Sequence, residues 1–183
     1  MPSINIKQER IDKTLEIAAY LEKEIEALKY VIESVPYSNA PPEGRSIIEL
    51  LMLIDHAQCS YYEPVFKQVK HENTPLQLNN FTHFKKTFEP EEPENKDVQK
   101  VLSRLANHRL SFMNKLNDIT PNTWGKIIYE DNKEILLIDF IKRMNHNDQV
   151  YLKKITTLVK SYQDDKATQR EIQQRQQRYN PEN

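Results

Sequence analysis

Leu137, Ile141, Met144, Asp148, Tyr151, Ile155, Leu158 and Tyr162 recur at spacings of 4, 3, 4, 3, 4, 3 and 4. That rhythm puts all of them on one face of a long α-helix, starting near Ile135 and reaching at least Tyr162. A helix with a single apolar stripe must bury it against other elements, and three further blocks carry matching stripes. The first, about Gln8 to Val35, repeats Ile11, Leu15, Ala18, Leu21, Ile25, Leu28 and Ile32 over a Glu- and Lys-rich opposite face. Pro36, Pro41 and Pro42 end it. The second begins at about Ile47 behind a Ser46–Glu49 capping-box pair. Only Glu49 is polar between Ile47 and Ile54, so this helix is central, and Pro64 is expected to kink or end it. The third spans about Asp97 to Ile119 on Val98, Leu102, Leu105, Phe112, Leu116 and Ile119, with Arg109 in the missing step.

The connections are legible too. From about Val69 to Lys96 the chain mixes prolines, asparagines and the run Glu89-Pro90-Glu91-Glu92-Pro93-Glu94. It reads as a long crossover with room for a helical turn, pinned to the bundle by Phe81, Phe84 and Phe88. Thr120-Pro121 is a cap and first turn carrying Trp124. Lys126 to Lys133, with Asp131-Asn132 inside it, reads as an irregular or hairpin-like connector. The expected architecture is all-α: an up-down four-helix bundle over residues 1–162, with a long connection between its second and third helices. Residues 163–183 form a polar tail, either a helical extension or disordered.

Several classes of function are excluded. Two glycines, Gly44 and Gly125, leave no material for a glycine-rich phosphate loop. Charges of 26 Lys and Arg against 27 Asp and Glu give a net of -1, which argues against a nucleic-acid binder. Cys59 is the single cysteine, so neither an intramolecular disulfide nor a multi-cysteine zinc cage can form. No run approaches the ~18 apolar residues of a membrane span. Met1 to Asn5 has no apolar signal core, and the expected location is cytoplasmic.

Candidate chemistry is sparse. Cys59, in an apolar helix, reads as a small core residue. Of the histidines His56, His71, His83, His108 and His146, no two are three or four apart, so no helix face carries a paired-histidine metal site. His71 and His83 read as solvated and His108 as exposed. His56 lies on the central helix, as either a hydrogen-bonded structural residue or a functional one. Asn147, Asp148 and Tyr151 sit on or beside the fourth stripe. Because burying an unpaired polar group costs roughly 2–7 kcal/mol, they need partners or an open cleft. They form either a hydrogen-bonded polar layer or an altered site.

The chain resembles the DinB/YfiT-like proteins from its first helix to about Val159. Their second helix typically reads Trp-Ser-x-x-Glu, then two or three apolar residues, a metal-binding His and, three on, an Asp. Here Arg45-Ser46-Ile47-Ile48-Glu49-Leu50-Leu51-Met52-Leu53-Ile54-Asp55-His56 stands in that place. The third helix is similar in Val98-Gln99-Lys100-Val101-Leu102 and Asn107-His108-Arg109, followed by Thr120-Pro121-Asn122-Thr123-Trp124. The fourth typically reads His-Asp-x-x-His-Leu-x-Gln-Ile, against Asn147-Asp148-Gln149-Val150-Tyr151-Leu152-Lys153-Lys154-Ile155 here.

The resemblance implies a four-helix bundle around a three-histidine site for a divalent metal, used by some relatives in thiol-dependent transfer or isomerisation. Residue by residue that site is lost: Leu53, Asn147 and Tyr151 stand where the histidines belong. The expected function is therefore a non-catalytic small-molecule-binding or interaction protein with no cofactor. The alternative is a zinc- or nickel-dependent transferase or hydrolase-type enzyme with a site relocated to His56 and Asp148, helped by His146. A homodimer is expected, with no nucleic-acid or membrane partner.

Overall fold

The computed structural model describes residues 4–71, 74–90 and 96–179. Its helices are α1 (Gln8–Val31), α2 (Ile47–Ala57), α3 (Glu63–His71), α4 (Phe84–Thr87), α5 (Val98–Asn117), α6 (Pro121–Trp124) and α7 (Leu137–Tyr179). Short strands β1 (Leu76–Gln77), β2 (Ile127–Glu130) and β3 (Lys133–Leu136) complete it. The four stripes are the four bundle helices α1, α2, α5 and α7. Their main interfaces are α1–α5, α5–α2, α2–α7 and α7–α1. Helices consecutive along the chain, α1 with α2 and α5 with α7, therefore face each other across the diagonals.

Local chemistry sets the boundaries. At the start of α2 the Glu49 carboxylate accepts the Ser46 amide at 2.7 Å, and Ser46 Oγ accepts the Glu49 amide at 3.3 Å. Asp97 caps α5 by accepting the amides of Gln99 and Lys100 at 3.0 and 3.2 Å. Pro64 does not end the second block. A π-helical turn, Gln58–Tyr62, precedes it, and the helix continues as α3. The widened turn accommodates a ring that an α-helix would set against the carbonyl four residues back.

The connector after α6 is a hairpin. Asp131 and Asn132 take φ of 50° and 64°, the left-handed pair of a two-residue turn that suits strand twist. Ile128 faces Ile135 across β2 and β3, and Leu76 of the crossover adds a parallel partner beside Ile128. The sheet thus has three strands, one more than a hairpin. In the crossover, α4 is the expected helical turn. Phe84 is fully buried, while Phe81 and Phe88 pack partly buried against the core. Glu91 to Glu94 of the acidic run, with Asn95 after it, lie outside the described residues. Beyond Tyr162, α7 continues unbroken, and residues 163–176 are all exposed, so of the two readings of the tail the described part is a helical extension. Residues 180–183 lie outside the description. No helix of the described chain is long and apolar enough to cross a membrane.

Both odd members of the stripes meet in the core. Arg109, 0% exposed, donates through Nη2 to Asp148 Oδ2 at 2.7 Å and through Nη1 to the Ala18 carbonyl at 3.1 Å. Burial pushes the Asp148 carboxyl above its usual range, and the guanidinium's charge and hydrogen bond pull against that rise. Nearby, buried Asn145 donates to the Thr14 carbonyl at 2.9 Å.

Removing one partner of such a pair strands a buried charge, whereas removing both need not. Asp148→Leu is expected to cost about 3–5 kcal/mol in urea denaturation. Adding Arg109→Met should restore most of it, and an unchanged midpoint for the single variant would contradict this account of the core. A second expectation concerns Gly125, whose carbonyl accepts the Ile4 amide at 3.1 Å. A Cβ at Gly125 would stand 1.7 Å from the Ile4 carbonyl oxygen. Gly125→Ala should displace the N-terminal segment, lower stability by about 1–3 kcal/mol and speed amide exchange at Ile6. Unaltered thermal melting would refute it.

Candidate functional site

The central helix α2 has a cavity on each side. On the side toward α7, a space of about 720 Å³ is lined by Leu50, Leu53, Val150, Tyr151 and Leu158. Arg45, Lys85, Lys153 and Lys154 surround it, with Glu43 as the one carboxylate of its lining. Leu53 and Tyr151, both nearly buried, are two of the positions at which the resemblance places metal ligands. The third, Asn147, does not join them. Its amide donates to the Tyr62 hydroxyl in the π turn, and it lines a different cleft with Tyr61, Tyr62 and His146.

These side chains do not fit a transition-metal ion. Leu53 has no donor atom, the Asn147 amide is engaged elsewhere, and burial raises the Tyr151 phenol further from ionisation. Asn147 and Asp148 do belong to a hydrogen-bonded polar layer. Asn147 pairs with Tyr62 and Asp148 with Arg109.

The relocated site expected at His56 and Asp148 does not form. His56 Nε2 lies 2.9 Å from Thr87 Oγ1, its ring rests 5.5 Å from that of Phe88, and burial lowers its pKa. Asp148 is committed to Arg109, and His146 is exposed. The two residues thus serve separate contacts, one to the crossover and one to the core.

The other side of α2 holds what the sequence reading missed. Asp55, 6% exposed, receives two groups from α5. His108 Nδ1 lies 2.6 Å from its Oδ1, and Arg104 Nε donates to its Oδ2 at 3.0 Å. Cys59 Sγ stands 3.3 Å from the same His108 Nδ1 and 3.8 Å from Asp55 Oδ1. Met52, His56, Phe88 and Glu89 complete the lining of an adjoining cavity of about 300 Å³.

Cys59 is therefore not a core residue. It is exposed, because the π turn shifts the helical phase and sends Gln58, Tyr61 and Tyr62 inward instead. Burial of its sulfur, reinforced by the charges of Asp55 and Glu63, nonetheless pushes the thiol up to about 12. His108 is half-exposed rather than free, with one ring nitrogen turned onto Asp55. His83, expected in solvent, is half-buried and stacks on Phe84 at 4.4 Å, while His71 is exposed as expected. The sequence did hold a signal for the cluster. Asp55 and Cys59 are four apart, as are Arg104 and His108, so each pair shares a helix face. Nothing in either spacing says that the two faces meet.

No protein-family model matches the chain, and no curated protein sequence does. Among solved structures it is similar to YfiT from Bacillus subtilis, described as a probable metal-dependent hydrolase with an unusual four-helix bundle topology. The two superpose with a TM-score of 0.69 over 88% of this chain and 92% of that one, at 16% identity. Likeness at that identity concerns architecture, and the TM-score and the coverage of both chains establish it. The chain has the DinB/YfiT-like four-helix-bundle fold.

Proposed function

We propose that this chain is a non-catalytic binding protein for a small amphipathic anion, held in the cavity between α2 and α7. The observation that carries the reading is the make-up of that cavity, an apolar floor of Leu50 and Leu53, flanked by Leu158 and the exposed Val150, with four cations around it. Its volume of about 720 Å³ suits a drug-sized ligand. Among the described residues no carboxylate forms an ion pair with Arg45, Lys85, Lys153 or Lys154. Arg45 stacks over Phe88 at 4.9 Å and Lys154 stands 6.0 Å over the Tyr151 ring. An apolar tail on the floor would displace water from leucine and valine surface, and an acid headgroup would meet the rim.

The non-catalytic part of the reading rests on the donor set. Metal-dependent hydrolysis, the activity suggested for YfiT, needs a set of metal-binding donors, and the lining of this cavity holds neither histidine nor cysteine. Tyr151 and the rim can orient an anion, and among the described residues no histidine stands in the lining to activate a hydroxyl.

Decanoate, decanol and decylammonium separate the contributions by isothermal titration and thermal melting. Decanoate should bind saturably and raise the melting temperature through mass action. Decylammonium, repelled by the rim, should bind at least ~10-fold more weakly, a difference of about 1.4 kcal/mol. Leu53→Trp, which fills the floor, should abolish decanoate binding, and Lys153→Glu with Lys154→Glu should weaken it without loss of fold. Equal binding of the three amphiphiles, or none at all, would sink the proposal.

A further inference from the structure

We infer that Asp55, Cys59 and His108 form a second site, on the opposite side of α2, that takes a zinc-type divalent ion. The three side chains come from two packed helices and present a carboxylate oxygen, a thiol sulfur and an imidazole nitrogen within 4.8 Å of one another. Hydrogen bonds account for two edges of the triangle, since the thiol and the His108 Nδ1 both reach Asp55 Oδ1. In a thiol–imidazole–carboxylate relay, sulfur and carboxylate face opposite nitrogens of the ring, so that a proton taken at one is balanced at the other. Here both face the same nitrogen, Nδ1, at 3.3 and 2.6 Å. When the thiol and Nδ1 each donate to Asp55 Oδ1, the 3.3 Å approach of sulfur to Nδ1 has no proton of its own. Three donor atoms that converge on a common point, rather than standing in a line, are arranged as ligands are around an ion.

The dimensions agree. Tetrahedral zinc holds nitrogen and oxygen at about 2.0 Å and sulfur at about 2.3 Å, which sets ligand pairs roughly 3.3–3.5 Å apart. The two sulfur edges of the triangle are 3.3 and 3.8 Å. Only the 2.6 Å edge between His108 and Asp55 has to open, and the half-exposed imidazole has room to do so. Arg104 occupies Asp55 Oδ2 and leaves Oδ1 for the ion, the part played by an outer hydrogen bond that fixes a ligating carboxylate. The adjoining cavity, with His56 and Glu89 on its wall, supplies space for a water or an incoming ligand at the fourth position. A mixed sulfur, nitrogen and oxygen set favours zinc over magnesium or calcium, which prefer oxygen alone. On binding, the ion replaces the thiol proton, which passes to solvent, and the sulfur ligates as thiolate.

The test uses the full chain, reduced, metal-stripped and without an affinity tag, titrated with cobalt(II) and then with zinc. Expected are one equivalent of cobalt, the visible bands of a tetrahedral ion, a thiolate-to-cobalt charge-transfer band, and loss of both on adding zinc. Cys59→Ser, at an exposed position, should fold as the parent does by circular dichroism yet lack the charge-transfer band. It and His108→Gln should each weaken zinc binding by more than ~10-fold, and Arg104→Gln, which loosens the carboxylate, by about 10-fold. Decanoate binding in the other cavity should be unchanged by Cys59→Ser. Cobalt bound without a sulfur band, zinc bound as tightly by Cys59→Ser and His108→Gln as by the parent, or no binding at ~100 μM ion, a concentration that would fill a site of ordinary affinity, would each overturn the inference.

Discussion

The rest of the structure is arranged around a charge that has nowhere to go. An arginine keeps its charge in a protein, and Arg109 is fully buried within α5, so the bundle has to bring it a carboxylate. It does so across the diagonal, from Asp148 on α7, while a backbone carbonyl of α1 takes another of its protons. Three of the four bundle helices are thereby fixed in register by one guanidinium. Sliding α7 by a single turn would strand both charges in an apolar core, a far larger penalty than any mismatch of leucines. The same commitment removes Asp148 from any chemistry at the cleft.

How much of this was legible follows from what a periodic pattern can carry. Stripe membership is a property of one helix, and it found the four bundle helices, the capping box of α2 and even the odd residues Arg109 and Asp148. Pairing is a property of two helices, and no spacing within α5 says that α7 lies opposite. The polar layer was foreseen and its partners were not, because Tyr62 reaches Asn147 only through a π turn. That turn also explains the misreading of Cys59. Pro64 announced an irregularity, but whether the chain would bend, stop or widen depended on packing that the sequence does not print. The third strand escaped notice for a simpler reason: Leu76 and Gln77 are too few to show alternation.

The two faces of α2 tell a consistent story in electrostatic terms. Toward α7, where the resemblance places three imidazoles around a cation, the chain offers leucine, a neutral phenol and a rim of one arginine and three lysines. That face is built to repel cations. Toward α5, a buried carboxylate, a sulfur and an imidazole gather against a single guanidinium. One helix thus separates a surface suited to anions from one suited to a metal, and Leu53 and Asp55 are only two residues apart on it.

The helical extension beyond Tyr162 has a mechanical consequence. A free peptide of that length would be only marginally helical in water, since it would have to pay for its first turn. Here nucleation is already complete in the packed part of α7, and each further residue adds only propagation. The last turns are therefore a strut, about 25 Å long if residues 163–179 rise 1.5 Å apiece, anchored at one end and bathed by solvent on every side over residues 163–176. A strut of this kind lengthens the molecule without enlarging its core. Tumbling of the particle becomes anisotropic, and order along the strut declines residue by residue from the anchored end instead of melting with the bundle.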